Sequence, residues 1–155
     1  MVVHVEPAAI EIAATPERVR EVVLDFAAYL SWHKGHFNSI KPKDPNKKGI
    51  DLIESDKLEV SLSSGMNFSP AILEKSATRL EWRGSLPGIF TGDHCFEFHP
   101  SQNSAGGTRF LQYEDFSGLL SFTMKSTKKS GEQNSEGFVK FNEDLKRRCE
   151  ENVVD

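Results

Sequence analysis

A histidine and a carboxylate that face each other across two β-strands can pass a proton or hold a polar ligand group. The sequence places one such pair. In residues 90–99, His94, Phe96 and Phe98 share one face of an extended chain, and Asp93, Cys95, Glu97 and His99 share the other. In residues 107–116, Thr108, Phe110, Gln112, Glu114 and Phe116 share a face. The faces that carry Phe are the ones to bury. A hairpin with Phe98 opposite Phe110 then sets Phe96 opposite Gln112 and His94 opposite Glu114. Directly opposed Cβ atoms lie about 4.5–5.5 Å apart, so imidazole and carboxylate are within reach of each other in an aromatic wall.

Other residues join that wall by parity. Trp82 shares a face with Leu80 and Gly84, and Phe68, Ile72 and Met66 are further wall candidates. Trp32 ends a short helical piece and is a candidate gate or packing anchor. Phe138, Phe141 and Asn142 fall on one side of a terminal helix, where Asn142, with Gln112, adds orienting hydrogen bonds. His33, His36 and His99 complete no ligand spacing with Cys or carboxylates, so no metal is expected, and His33 and His36 read as surface histidines on a loop. Cys95 and Cys149 have no activating partner. Ser117 lacks a G-x-S-x-G context, and Gly106–Gly107 form a hairpin turn, not a phosphate cradle. Lys125, Lys128 and Lys129 read as a solvated loop, the alternative being contact with an anionic membrane surface during ligand exchange.

These side chains need elements to hold them. A short strand is expected at Ala9–Ala13. Thr15-Pro16-Glu17 has the chemistry of a helix start, followed by Val19, Val22, Val23 and Phe26 on one face. A second helical piece covers Ala27–Ser31. Residues 33–49, rich in Lys, Pro and Gly, read as a loop. Strands are expected at 50–54, 57–63, 68–75, 78–84, 90–99 and 107–116, with short connections that favour an antiparallel meander. A mobile loop over 123–137 runs into a helix, with Ser130 and Gln133 as a capping box, and Phe138, Phe141, Leu145 and Cys149 form its buried face. The chain is thus α+β: two short helices after the first strand, a curved antiparallel sheet of about six to seven strands, and a long C-terminal helix to cover it. The gap between helix and sheet is the place for a ligand.

Composition narrows the function classes. The chain has 155 residues, 19 Lys plus Arg and 23 Asp plus Glu, for a net charge of −4. One domain, 1–155, fits this length. The balance argues against a nucleic-acid module. No apolar run is long enough for membrane insertion. The opening Met1–Pro7 lacks the charge and apolar run of an export signal, and two cysteines suit a reducing compartment, so a cytoplasmic location is expected. Eleven Phe, most of them from Phe90 onward, mark the second half as the aromatic one.

Several stretches resemble the SRPBCC superfamily, also called START-like or helix-grip proteins. They are Val22-Val23-Leu24-Asp25-Phe26 with Tyr29-Leu30-Ser31-Trp32, Leu80-Glu81-Trp82-Arg83-Gly84, Gly92-Asp93-His94-Cys95-Phe96-Glu97-Phe98, Gly107-Thr108-Arg109-Phe110, Glu114-Asp115-Phe116-Ser117-Gly118, and Phe138 through Glu150. The resemblance spans about residues 8–151. It implies a helix-grip fold with a hydrophobic cavity, and it leaves the activity open, because that scaffold hosts binders, carriers and enzymes.

The leading expectation is therefore a binder of a hydrophobic or aromatic small molecule, lipid- or polyketide-like, without cofactor, and monomeric or weakly dimeric. The rivals are a cyclase, dehydratase or isomerase using His94–Glu114 as acid/base pair, and a co-chaperone-like interaction module with a filled interior and an exposed apolar patch. Ligand exchange would need motion of 117–137 or of the 33–49 loop.

Overall fold

The structure is a computed structural model that describes residues 2–119 and 128–151, with 128–134 described by their backbone alone. Strand β1 is Val3–Val5 and β2 is Ile10–Ile12. Helix α1, Pro16–Leu24, starts as its sequence dictates: Pro16 occupies the first turn, and the Thr15 side chain accepts a hydrogen bond from the Arg18 N–H. It buries Val19, Val22 and Val23. A 3₁₀ turn, Phe26–Ala28, and a four-residue α2, Tyr29–Trp32, follow. Then come β3 Phe37–Pro42, β4 Leu58–Leu62, β5 Asn67–Phe68, β6 Ala71–Lys75, β7 Arg79–Leu86, β8 Phe90–Pro100 and β9 Thr108–Ser117. Helix α3 is Lys128–Glu150.

One six-stranded antiparallel sheet runs β1-β9-β8-β7-β6, with β2 also pairing β9, and a three-stranded sheet runs β3-β4-β5. The inner faces close on α3 and α1. Phe138, Phe141 and Leu145 of α3 are each at most 1% exposed. Phe141 alone touches the rings of Tyr29, Trp32, His33, Phe37 and Phe96. The arrangement is the expected α+β grip of a curved sheet on a C-terminal helix.

Local expectations fail in four places. The 33–49 loop contains β3, whose alternation is broken by a register shift between Phe37 and Ser39. The strand expected at 50–54 is a 3₁₀ turn, Gly49–Asp51. Side-chain hydrogen bonds close this region instead of a ladder: Asp51 accepts from the Lys48 N–H and Asp56 from the Ile53 N–H. The single strand expected at 68–75 is two, because Pro70 cannot donate to a ladder. Helix α3 already runs through Ser130 and Gln133, so they do not cap its start. Of the loop expected over 123–137, residues 128–137, with Lys128 and Lys129, belong to α3, and residues 123–127, with Lys125, lie outside the described residues.

β1 was not anticipated. It is pinned to β9 by His4, whose Nδ1 lies 2.5 Å from Asp115 and whose Nε2 lies 2.7 Å from Glu6. Hydrogen bonding to Glu6 and then to Asp115 raises its pKa. This clip is therefore fully present below about 6.5 and is released as pH rises through the elevated value.

Candidate functional site

The β8–β9 ladder has the register expected from Phe parity: Phe98↔Phe110, Phe96↔Gln112 and His94↔Glu114. On the other side of β8, Trp82 pairs with His94 and Gly84 with Gly92. Two paired strands thus carry a glycine at the same level. A Cβ built on Gly84 would lie 3.2 Å from Phe68 Cδ2, and one on Gly92 would lie 2.7 Å from Glu114 Oε1. The sheet is bare at this level, and neighbouring side chains lean over it.

A cleft of about 170 Å³ opens there. Its walls are mostly apolar, with Phe37, Leu62, Met66, Phe68, Leu86, Phe90 and Phe116. The polar side chains that converge on it include His36, His94 and Glu114. His94 is 3% exposed. Glu114 is more open, with 19% of its side chain exposed.

The hydrogen bonds behind His94 fix its proton. The Gln112 amide nitrogen donates to Asn142 Oδ1 at 2.8 Å and to the Phe138 carbonyl at 3.4 Å. A carbonyl only accepts, so the amide has one orientation and its oxygen faces His94 Nε2 at 2.9 Å. His94 therefore carries hydrogen on Nε2, and its Nδ1 faces Glu114 Oε2 at 3.4 Å, an ion-pair separation. This Nδ1–carboxylate contact is attractive when one proton resides between the two groups. Trp82 holds the imidazole in plane, stacked at 5.1 Å and 23°.

His33 and His36 are not surface histidines: they are 1% and 8% exposed. His33 Nε2 accepts from the Phe37 N–H at 3.1 Å, so the ring is neutral with its hydrogen on Nδ1, which donates to Asp144 at 2.9 Å. Burial lowers its pKa against the pull of Asp144. Burial works to raise the Asp144 pKa, but hydrogen bonds from Lys140, His33, the Lys34 N–H and Arg147 outweigh it and hold the carboxyl at about 2. This cluster ties the segment before β3 to α3.

His36 lies edge-on to Phe37 at 4.4 Å and to Phe138 at 5.2 Å. Burial, reinforced by His94 and His33 nearby, pushes its pKa down to about 3. It fits only because helix residue 137 is glycine, where a Cβ would sit 2.3 Å from His36 Nδ1.

The thirteen binding candidates separate into groups. Phe68, His94 and Glu114 line the cleft. Gln112 and Asn142 form the buried chain behind His94, and Phe138 packs on the rings of His94 and His36. Trp32, Ile72, Trp82, Phe96, Phe98, Phe110 and Phe141 sit in the packed core and do not line the cleft. They fill the space between sheet and helix, so the hollow is displaced to one end. The candidate set omitted His36, Phe37, Leu62, Leu86, Phe90 and Phe116. Phe90 and Phe116 carry the right strand parity. For His36, the available signal was a glycine inside a helical pattern.

Cys95 lies on the outer face but is fully covered. Burial pushes both cysteine thiols up to about 12, which removes thiolate chemistry at neutral pH. Among the described residues, no three His, Cys, Asp or Glu side chains are grouped to hold a metal ion. A wider groove of about 670 Å³ runs outside this interior, between α1 and β3.

No family model and no curated protein matches the chain. Solved structures do. A hypothetical protein of Helicobacter pylori superposes with a TM-score of 0.74 at 15% identity, covering 95% of this chain and 88% of that one. A START superfamily protein from Mycobacterium smegmatis gives 0.69 at 16% identity, covering 96% and 97%. A Zhui aromatase/cyclase from a Streptomyces species gives 0.71 at 13% identity, covering 99% and 96%. The fold is thus the helix-grip fold of START-like, SRPBCC-type proteins.

Proposed function

We propose that this chain binds a compact hydrophobic or aromatic small molecule in the cleft over Gly84 and Gly92. The observation that carries the reading is the convergence of His94 and Glu114 on an apolar hollow of about 170 Å³. An engineered apolar cavity of about 150 Å³ accepts benzene, so the occupant that fits without rearrangement is of single-ring size. Apolar contact supplies the affinity, at about 25 cal/mol per Å² buried. The imidazole and carboxylate fix the polar end of the ligand. The START-like and aromatase/cyclase neighbours support a ligand-binding or polyketide-cyclase type of scaffold. A cytoplasmic location is part of the proposal, in keeping with two free cysteines and with no helix among the described residues long and apolar enough to cross a membrane.

Native mass spectrometry of protein from its own source tests this reading. The expected result is a co-purifying small molecule that is absent from Gly92→Val, a variant whose side chain occupies the hollow. A bare wild-type protein, with no thermal shift from a panel of single-ring phenols and hydroxyketones, would overturn it.

A second reading has its own support. The hydrogen fixed on His94 Nε2 leaves Nδ1 and Glu114 as one proton-exchanging unit at the cleft wall. Acid–base catalysis on an enolisable carbonyl, as a cyclase, dehydratase or isomerase, would use it. The expected signature is turnover, or solvent-deuterium exchange at the α-carbon, in wild type that is lost in both Glu114→Gln and His94→Ala while ligand affinity survives. Binding without turnover in wild type leaves the binder alone. The interaction-module reading expects no cavity above about 300 Å³ and an exposed apolar patch. The cleft is below that size, and Met66, Leu86, Ile89 and Leu119 are exposed, so these two observations favour it as the rival, against which stand the polar side chains directed into the cleft.

A further inference from the structure

Three histidines are buried, and two of them use both ring nitrogens. His33 meets the Phe37 N–H and Asp144, and His94 meets Gln112 and Glu114. His36 differs. It is 8% exposed and lines the cleft, yet its imidazole has no hydrogen-bond partner among the described residues. Its carbonyl accepts from the Ser63 N–H at 2.8 Å, which anchors the backbone and leaves the ring over. Burying a polar group unpaired is costly, so such a group in a pocket wall marks a contact for something that binds there. The neighbour decides where its hydrogen sits. The Cβ direction of Gly137 is that of one of its Cα hydrogens, and a Cβ there would lie 2.3 Å from Nδ1, 3.0 Å from Cγ and 3.1 Å from Cε1 of His36. A hydrogen on Nδ1 would collide with that Cα–H, whereas a lone pair accepts it weakly. Nδ1 is therefore bare, and the hydrogen is on Nε2, at the ring edge turned away from α3. Burial, which holds the pKa at about 3, keeps the ring uncharged at neutral pH. A second unpaired atom belongs to the same cleft. Glu114 Oε2 meets His94, while Oε1 leans over Gly92 with no partner among the described residues. No Lys, Arg or Asp is among the residues that line the cleft.

We propose that His36 is a ligand contact, its Nε2–H donating to the carbonyl oxygen of an uncharged, single-ring hydroxy ketone whose hydroxyl is held by Glu114. This inference rests on the binder reading and deepens it. The two unpaired atoms ask for opposite groups on the ligand: Nε2–H takes an acceptor, and a carboxylate oxygen takes a donor. An anionic ligand finds no counter-charge in these walls and would face Glu114. A plain hydrocarbon fills the hollow and leaves both atoms unpaired. A site built to pair a polar group rejects the analogue that lacks it more sharply than an apolar pocket rejects a missing methylene. His36 thus sets specificity, beside the His94–Glu114 unit and separate from it.

The test is titration calorimetry of the full chain and of His36→Phe with the 3- and 4-isomers of hydroxyacetophenone. The matching ethylphenols, which keep the shape and lose the carbonyl, and the hydroxybenzoates are the comparison probes. Wild type is expected to bind a hydroxyacetophenone about tenfold more tightly than its ethylphenol. In His36→Phe that preference should vanish, while the ethylphenol binds as in wild type. A preference of equal size in both proteins, no preference in wild type, or tightest binding of a hydroxybenzoate would each overturn the assignment of His36 and leave the binder reading standing. No binding of any probe would remove the binder reading, and this inference with it. Nitrogen-15 correlation spectra of the ligand-free wild type give an independent check that needs no variant. They are expected to show His36 neutral at neutral pH with its hydrogen on Nε2, and a hydrogen on Nδ1 would overturn the proposal.

Discussion

Gly137→Ala is expected to destabilise this protein by about 2–3 kcal/mol, although the same change inside an ordinary helix stabilises by up to about 1 kcal/mol. The reversal comes from one neighbour. The new Cβ would stand 2.3 Å from Nδ1, 3.0 Å from Cγ and 3.1 Å from Cε1 of His36. Phe37 at 4.4 Å and Phe138 at 5.2 Å block that ring on two sides, so its one retreat is into the cleft. Either the imidazole leaves the cleft wall or α3 shifts outward. The sign should flip in a His36→Ala background, where the methyl finds open space and helix propensity is all that remains. Urea denaturation of the four proteins in this cycle checks it. An equal cost of Gly137→Ala with and without His36 would refute the steric account.

The second large effect is acid lability. His36 has a folded pKa of about 3 against an ordinary 6.5. Below 6.5 the unfolded chain takes up a proton that the folded chain refuses, so stability falls as pH drops through that window and levels off near 3. The full gap is worth at most about 5 kcal/mol. His33, also lowered by burial, adds a loss of the same sign. Asp144 acts later. Its folded value of about 2 lies under the ordinary 3.8, so its contribution persists above 3.8 and disappears as pH falls towards 2. Chemical denaturation midpoints from pH 7 to pH 3 should decline in wild type and decline much less in His36→Phe. Parallel curves for the two proteins would show that His36 is not the group responsible.

What could be read in the sequence follows from how local each signal is. The register that sets His94 against Glu114 was legible because 90–99 and 107–116 alternate cleanly, with Phe on one face only. The first helix was legible from Thr15 and Pro16. β3 was hidden because its bulge breaks the alternation and its neighbours are Lys, Pro and Gly. The burial of His33 and His36 was not legible, because it is created by Asp144 and Gly137, more than a hundred residues later. The location of the hollow was misjudged for a related reason. Parity says which side chains point inward, and it does not say which of them fill the space. Aromatic rings in the middle of the sheet pack on Phe141, whereas paired glycines at one end leave a gap.

The ladder of β9 has a consequence for biosynthesis. Both N-terminal strands lie on it, Val3 opposite Phe116 and Ile12 opposite Thr108. A nascent chain emerging at about 5–20 residues per second holds those strands without partners for several seconds. Among the described residues β2 pairs with β9 alone, so ribosome-bound fragments that stop short of residue 108 should leave Ile10–Ile12 open to protease.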